Sequence, residues 1–238
     1  MRMTGEGSTR RQFLWHSVVW SAALWPAGCV LMPVRQGVQW IEGEAWLDGR
    51  ILNAYDQILP GVTLSTGAHS RLVLVSGDDA FLLGAHTTLT FHSANLPEST
   101  PEPDHPASHA PPVEEPVVAA ATGFTLQSGR VLSVFGSGAR TLVIPTATIG
   151  VRGTGLFLQV APEQDYLCLC YGTIEIRMQH ALPGKGSDLH ATHHASRYLT
   201  PNGVIHTAPM LNHTDEELFM LEALVNRRPP FEPVGRHY

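Results

Sequence analysis

The chain has 238 residues, 43% of them hydrophobic and only 15% charged, with 22 glycines and 18 prolines. That length buries a core without staples, and the low charge with many short β-branched runs points to an all-β protein. A net charge of −6 with no basic stripe argues against a nucleic-acid partner.

Ser8-Thr-Arg-Arg-Gln-Phe-Leu14 has the form of a twin-arginine export signature, and an apolar run from Phe13 to Val34 follows it. Residues 1–34 therefore read as an export signal or a membrane anchor. A run of about 20 residues nearly suffices to span a bilayer. No Ala-x-Ala site ends the run, and Pro26-Ala-Gly-Cys29 is a poor lipoprotein signal. Cleavage, retention and lipidation at Cys29 all stay open. The expected location is the periplasm, free or held at the inner membrane, with membrane contact only through residues 13–34.

The chain then reads as a succession of short strands. Val38–Ile41 and Glu44–Leu47 suggest a strand pair, and Asp48-Gly49 a hairpin turn before Arg50–Leu52. Val62–Thr66, Ser70–Val75, Ala80–Leu83 and Thr87–Phe91 continue the pattern, with Asp78-Asp79 as a turn. Residues 95–116, with seven prolines and no aromatic residue, form an exposed insertion. The β pattern resumes at Gly123–Phe135. Leu142–Ile144 and Leu156–Val160 flank a turn in which Gly150, Arg152, Gly153 and Thr154 are the structural residues. Tyr166–Cys170 and Gly172–Arg177 read as two strands joined at Tyr171-Gly172, and a weaker pair lies at Arg197–Leu199 and Val204–His206. Strands this short suit a sandwich or a rolled two-sheet, solenoid-like domain. The end is helical over 214–226: Thr214-Asp-Glu-Glu217 is a capping box, and Leu218, Leu221, Leu224 and Val225 form an apolar stripe.

Two clusters carry chemistry. Cys168 and Cys170 stand two apart on a strand, so both thiols face one side and Leu167 and Leu169 the other. They are inert buried thiols, a strained disulfide, or ligands for a soft metal; a flat strand holds such a pair near the limit of disulfide reach. Seven of the 13 histidines lie from His180 onward. His193, His194 and His213 are candidates to complete a zinc or copper site with the two thiols, with His206 and Asp215 nearby in sequence. The alternatives are an exposed loop for His193-His194 and a helix-dipole role for Asp215. No Gly-x-Ser-x-Gly, phosphate loop or His-Glu-x-x-His is present, and a Cys170–His213 nucleophile pair is the only catalytic arrangement on offer. The chain therefore reads as non-enzymatic.

The order of motifs matches a known family. Gly43-Glu-Ala-Trp-Leu, Leu64-Ser-Thr-Gly, Ser70-Arg-Leu-Val-Leu, Leu126-Gln-Ser-Gly-Arg-Val, Pro145-Thr-Ala-Thr-Ile-Gly-Val-Arg-Gly-Thr and Tyr171-Gly-Thr-Ile-Glu-Ile resemble the FecR-like periplasmic domain over about 37–177. Residues 178–238 are then a His-rich extension. The Cys-x-Cys-Tyr-Gly strand, His-His pair and Asn-His-Thr-Asp helix start resemble a subset of that family. The resemblance implies a binding or sensory module tied to metal- or iron-related signalling, whose partner is another protein or an envelope component; it requires no cofactor. Two alternatives stand beside it: a periplasmic metal-binding (zinc or copper) or thiol-redox protein, and an inner-membrane signal transducer. Only about a dozen residues precede the apolar run, too few for a cytoplasmic regulatory domain, so sigma-factor control is not implied.

Overall fold

The computed structural model describes residues 33–92, 122–180 and 186–231. The Pro-rich insertion, and all but the last two residues of the export segment, lie outside these. Among the described residues no helix is long and apolar enough to cross a membrane.

The described residues are mainly β with one helix. In chain order the strands are β1 (Gly37–Glu42), β2 (Ala45–Leu47), β3 (Arg50–Ile51), β4 (Thr63–Thr66), β5 (Arg71–Ser76), β6 (Asp79–Leu83), β7 (Thr88–Phe91), β8 (Gly123–Val134), β9 (Ala139–Ile144) and β10 (Ala147–Arg152). They continue with β11 (Gly155–Val160), β12 (Asp165–Met178), β13 (Ser187–Ala191), β14 (Ala195–Leu199) and β15 (Ile205–Thr207); helix α1 spans Asp215–Leu224.

Pairing sorts the strands into two sheets. Sheet I runs β1-β5-β6-β8-β11-β12-β14-β15, antiparallel throughout. Sheet II runs β3-β2-β4-β7-β8-β9-β10-β12-β13, with β8 and β9 parallel. Apolar residues of both, among them Leu72, Leu74 and Phe81 from sheet I and Leu64, Leu89 and Phe124 from sheet II, form one buried cluster between the layers.

Two long strands, β8 and β12, belong to both sheets. Each bends where a glycine takes positive φ: Gly129 at +79° and Gly172 at +97°. A side chain at either point is excluded twice over, by the backbone conformation and by space. A Cβ on Gly129 would lie 2.4 Å from Thr87 Cα, and one on Gly172 2.6 Å from Thr154 Cγ2.

Several details correct the sequence reading. β1 pairs with β5 rather than with its neighbour, so the first two strands lie in different sheets. The Asp48-Gly49 hairpin does join β2 to β3. Tyr166–Arg177 is one strand bent at Gly172 and not two joined there. Gly150 lies in β10 opposite Thr141 and Glu175, not in the turn, which is confined to Gly153-Thr154. Asp79 is no simple turn residue. It is buried, accepts the Gly136 N–H at 2.8 Å and pairs with Arg140 Nε at 2.7 Å. Burial raises its pKa despite those partners.

The outer face of sheet I is as apolar as the inner one. Val73, Val75, Leu82, Leu132, Val134 and Phe157 face away from the main core and are covered by Leu218, Leu221 and Val225 of the C-terminal segment. Thr214 caps α1 by accepting from Glu217 N, and the Glu217 carboxylate accepts from Thr214 N, so the capping box forms as its sequence indicates. Arg71 pairs with Glu217 at one end of the helix, and Arg227 with Glu222 at 2.7 Å at the other.

Candidate metal centre

The centre grows from the bend of β12. Cys168 and Cys170 point to the outer face of sheet I while Leu167 and Leu169 enter the main core. The register against β11 slips here, Gly155 facing Tyr171 and Leu156 facing Leu169, which leaves Cys170 as the extra residue of a β-bulge. A bulge re-aims side chains, and Tyr171 accordingly joins Cys170 on the outer face. Both thiols are fully buried and not bridged.

Because β12 crosses between sheets, its two halves collect different neighbours. β13 pairs with the half beyond Gly172 and β14 with the half before it. The β13–β14 corner must therefore sit beside the bend. That corner carries His193 and His194, and the His194 N–H donates to the Cys170 carbonyl at 3.0 Å. His194 adopts φ +49°, a left-handed conformation that gives the adjacent histidines different surroundings.

His213 arrives from the segment before α1. The Tyr166 hydroxyl accepts the Leu211 N–H at 2.9 Å and donates to the Pro209 carbonyl at 3.0 Å, which pins that segment to β12. The His213 ring stacks on Phe157 with centroids 4.6 Å apart and planes 8° from parallel.

Four ligand atoms converge, one each from Cys168, Cys170, His194 and His213, all within 4.8 Å of one another. Cys168 Sγ is 3.4 Å from His194 Nδ1, and Cys170 Sγ is 3.5 Å from His213 Nε2. A zinc tetrahedron with bonds of 2.0–2.3 Å has sulfur-to-nitrogen edges of about 3.6 Å. The two measured edges fit that figure.

The far side of each imidazole is also arranged. His213 Nδ1 lies 2.8 Å from the Leu211 carbonyl, which can only accept, so Nδ1 carries the proton and Nε2 presents a lone pair to Cys170. His194 Nε2 lies 2.8 Å from Asp215 Oδ1, so its Nδ1 is the nitrogen left toward Cys168. Outer acceptors of this kind fix the ring and tautomer of a metal-bound histidine. Asp215, the first residue of α1, is 2% exposed in its side chain.

The electrostatics set the two thiols apart. A hydrogen bond from Cys170, reinforced by His194 and His213, holds the Cys168 thiol well below the usual range despite its burial. Burial pushes Cys170 the opposite way, helped by Cys168. Burial opposes charge on His194, yet Cys168 and Asp215 outweigh it and its pKa rises. Asp215 is lowered because its bonds to His194 and His193 overcome burial.

No family model and no curated protein matches the chain. Among solved structures the fold is similar to two crystal structures, each of a proposed anti-sigma factor from Parabacteroides distasonis. The first, at 1.65 Å resolution, is 12% identical and covers 61% of this chain and 58% of its own, with a TM-score of 0.42. The second, at 2.50 Å, is 12% identical and covers 66% and 71%, with a TM-score of 0.43. The chain thus spans somewhat over half the length of the first. Likeness at this level carries no functional argument.

Of the residues expected from sequence, Cys168, Cys170, His194 and His213 come together. His193 does not join those four. Its Nε2 sits 3.1 and 3.2 Å from the two carboxylate oxygens of Asp215. His206 is exposed on β15 and belongs to neither group of converging ligands. The Gly153-Thr154 turn serves the centre indirectly, since buried Thr154 packs against the Gly172 bend. Arg152 is exposed and donates to the Ser137 carbonyl at 2.9 Å. Arg152→Ala should therefore change stability by no more than about 0.5 kcal/mol in chemical denaturation and leave any metal content unaltered.

Proposed function

We propose that this is a non-enzymatic binding module whose C-terminal arm is clamped to its β-domain by one zinc ion, held by Cys168, Cys170, His194 and His213. The convergence of four ligand atoms within 4.8 Å, with two sulfur-to-nitrogen edges of 3.4 and 3.5 Å and each imidazole backed by an acceptor, carries the reading. Charge favours zinc over copper(I). Two thiolates neutralise a divalent ion, whereas a monovalent ion would leave a net negative charge in a buried site. Four protein ligands leave no open position for substrate, which suits a structural or sensing role better than catalysis.

Metal analysis of the full chain purified in its reduced form tests this. One zinc per chain is expected, and cobalt(II) in its place should give the visible bands of a tetrahedral ion with a thiolate charge-transfer band. Protein without stoichiometric metal, or cobalt bound without the thiolate band, would sink the proposal. Asp215→Asn keeps the shape of the side chain but loses the negative acceptor, and should weaken zinc binding about 10–100-fold in a competition titration with a chelator.

The six ordered motifs support placement in the FecR-like family, and the arginine pair with its apolar sequel supports export to the periplasm. Clamping gives export a chemical sense, because zinc keeps paired thiols from oxidising in that compartment. The sensory role follows from the clamp: ion occupancy would decide how firmly the arm covers the outer face of sheet I, a surface suited to a protein partner. Mass spectrometry of the mature N-terminus in cell fractions tests the export reading.

A further inference from the structure

We infer that His193 and Asp215 form a capture site through which the ion enters and leaves the buried centre. This rests on the reading of Cys168, Cys170, His194 and His213 as ligands. His193, His194 and Asp215 make a second group whose ligand atoms all lie within 4.8 Å of one another. The two groups share one member, His194, which turns Nδ1 to Cys168 and Nε2 to Asp215.

His193 is the most exposed member of the two groups. The His193 side chain is 26% exposed, that of His194 7% and that of Asp215 2%, while the thiols are fully buried. An ion has to reach the thiols by some route. On the His213 side Phe157 lies flat on the ring, and Leu218 and Leu221 belong to the same buried cluster as the thiols. His193 is the partly exposed ligand at the rim, its ring 4.4 Å from that of His194 and 4.3 Å from that of Phe231.

The donor chemistry also runs in one direction. His193 and Asp215 offer nitrogen and oxygen, which accept a hydrated divalent ion readily; the inner group adds two thiolates, which hold zinc more firmly. An ion first held by His193 Nε2, its proton shifted to Nδ1, and by the Asp215 carboxylate can exchange those donors for the two sulfurs without returning to water, the remaining thiol proton passing to solvent as the second thiolate binds. Once it has moved inward, Asp215 is free to accept the His194 Nε2 proton again.

A capture site speeds loading and release by one factor, since it lowers a barrier without changing either end state. The test uses the full chain with cobalt(II), following the thiolate charge-transfer band during uptake and during loss to excess chelator. His193→Ala should slow both rates about tenfold, the modest end of what local ion concentration gives, with one ion still bound and the same Kd. His193→Gln should be as slow, because an amide can still donate to Asp215 but ligates zinc poorly. Wild-type rates in His193→Gln would overturn the inference and reduce His193 to a hydrogen-bond donor. Loss of the ion at equilibrium in both variants would overturn it too, by making His193 a permanent ligand. Wild-type protein that takes up no cobalt would instead remove the centre itself, and the capture site with it.

Discussion

Cys170→Ser is expected to fold but to melt at the same temperature with zinc as with chelator, whereas the wild type should gain stability from the proposed ion. At a zinc concentration a thousandfold above Kd the wild-type gain is about 4 kcal/mol. For a folded unit of this size that is roughly 8–16 °C in Tm. The variant loses the gain because serine is a poor zinc donor and the three remaining ligands leave the ion bound weakly. Without metal the change is mild. The Cys170 thiol donates to the Cys168 carbonyl at 3.6 Å and faces His213, and a hydroxyl can satisfy either partner. Differential scanning calorimetry of both proteins, with zinc and with chelator, measures the difference directly. Equal melting of the wild type in the two conditions would end the clamp reading.

Glu222→Ala should cost about 3 kcal/mol whether or not metal is present. The Glu222 side chain is 3% exposed; it accepts from the Tyr171 hydroxyl and from Arg227 Nε at 2.7 Å. Arg227 in turn donates to the Asp78 carbonyl at 2.6 Å, so the group ties the end of α1 to sheet I. Removing the carboxylate strands a buried hydroxyl and a partly buried guanidinium, a defect worth about 3–5 kcal/mol. The lower end applies because the Arg227 side chain keeps 30% exposure and can find water. Burial first, and then Glu222, push the Tyr171 pKa far up, so the phenol stays a donor throughout the range in which the protein would be handled. Urea denaturation should show a lower midpoint with an unchanged slope. A shift below about 1 kcal/mol would mean that the arm is held chiefly by apolar contact.

These two results probe opposite ends of one helix, and they differ in how far sequence led to them. Local features were legible. The Thr214–Glu217 capping box and the Asp48-Gly49 hairpin form as their residues dictate, because partners three residues apart settle them. The alternation that put both thiols opposite Leu167 and Leu169 was legible for the same reason. What sequence withheld depends on distant pairing. That β1 seeks β5, that Tyr166–Arg177 continues through Gly172, and that Ser187–Ala191 forms a strand all follow from which edges are available in three dimensions. The bulge at Cys170 belongs to the register with β11 and leaves no local signature. Nor could sequence separate His193 from His194. The distinction lies in one left-handed residue at a corner between two sheets. A His-His pair at a turn was the available signal, and it named the right pair without the order.

The sharing of β12 has a bearing on how the molecule opens. A strand paired in both layers cannot be peeled from one without disturbing the other, so its amides before and after Gly172 belong to one cooperative unit. An ion bound at the first half of the strand would therefore slow amide exchange in β10 and β13, which touch only the second half. Occupancy of the proposed site on the outer surface of one sheet would become, through a single continuous strand, a property of the opposite layer.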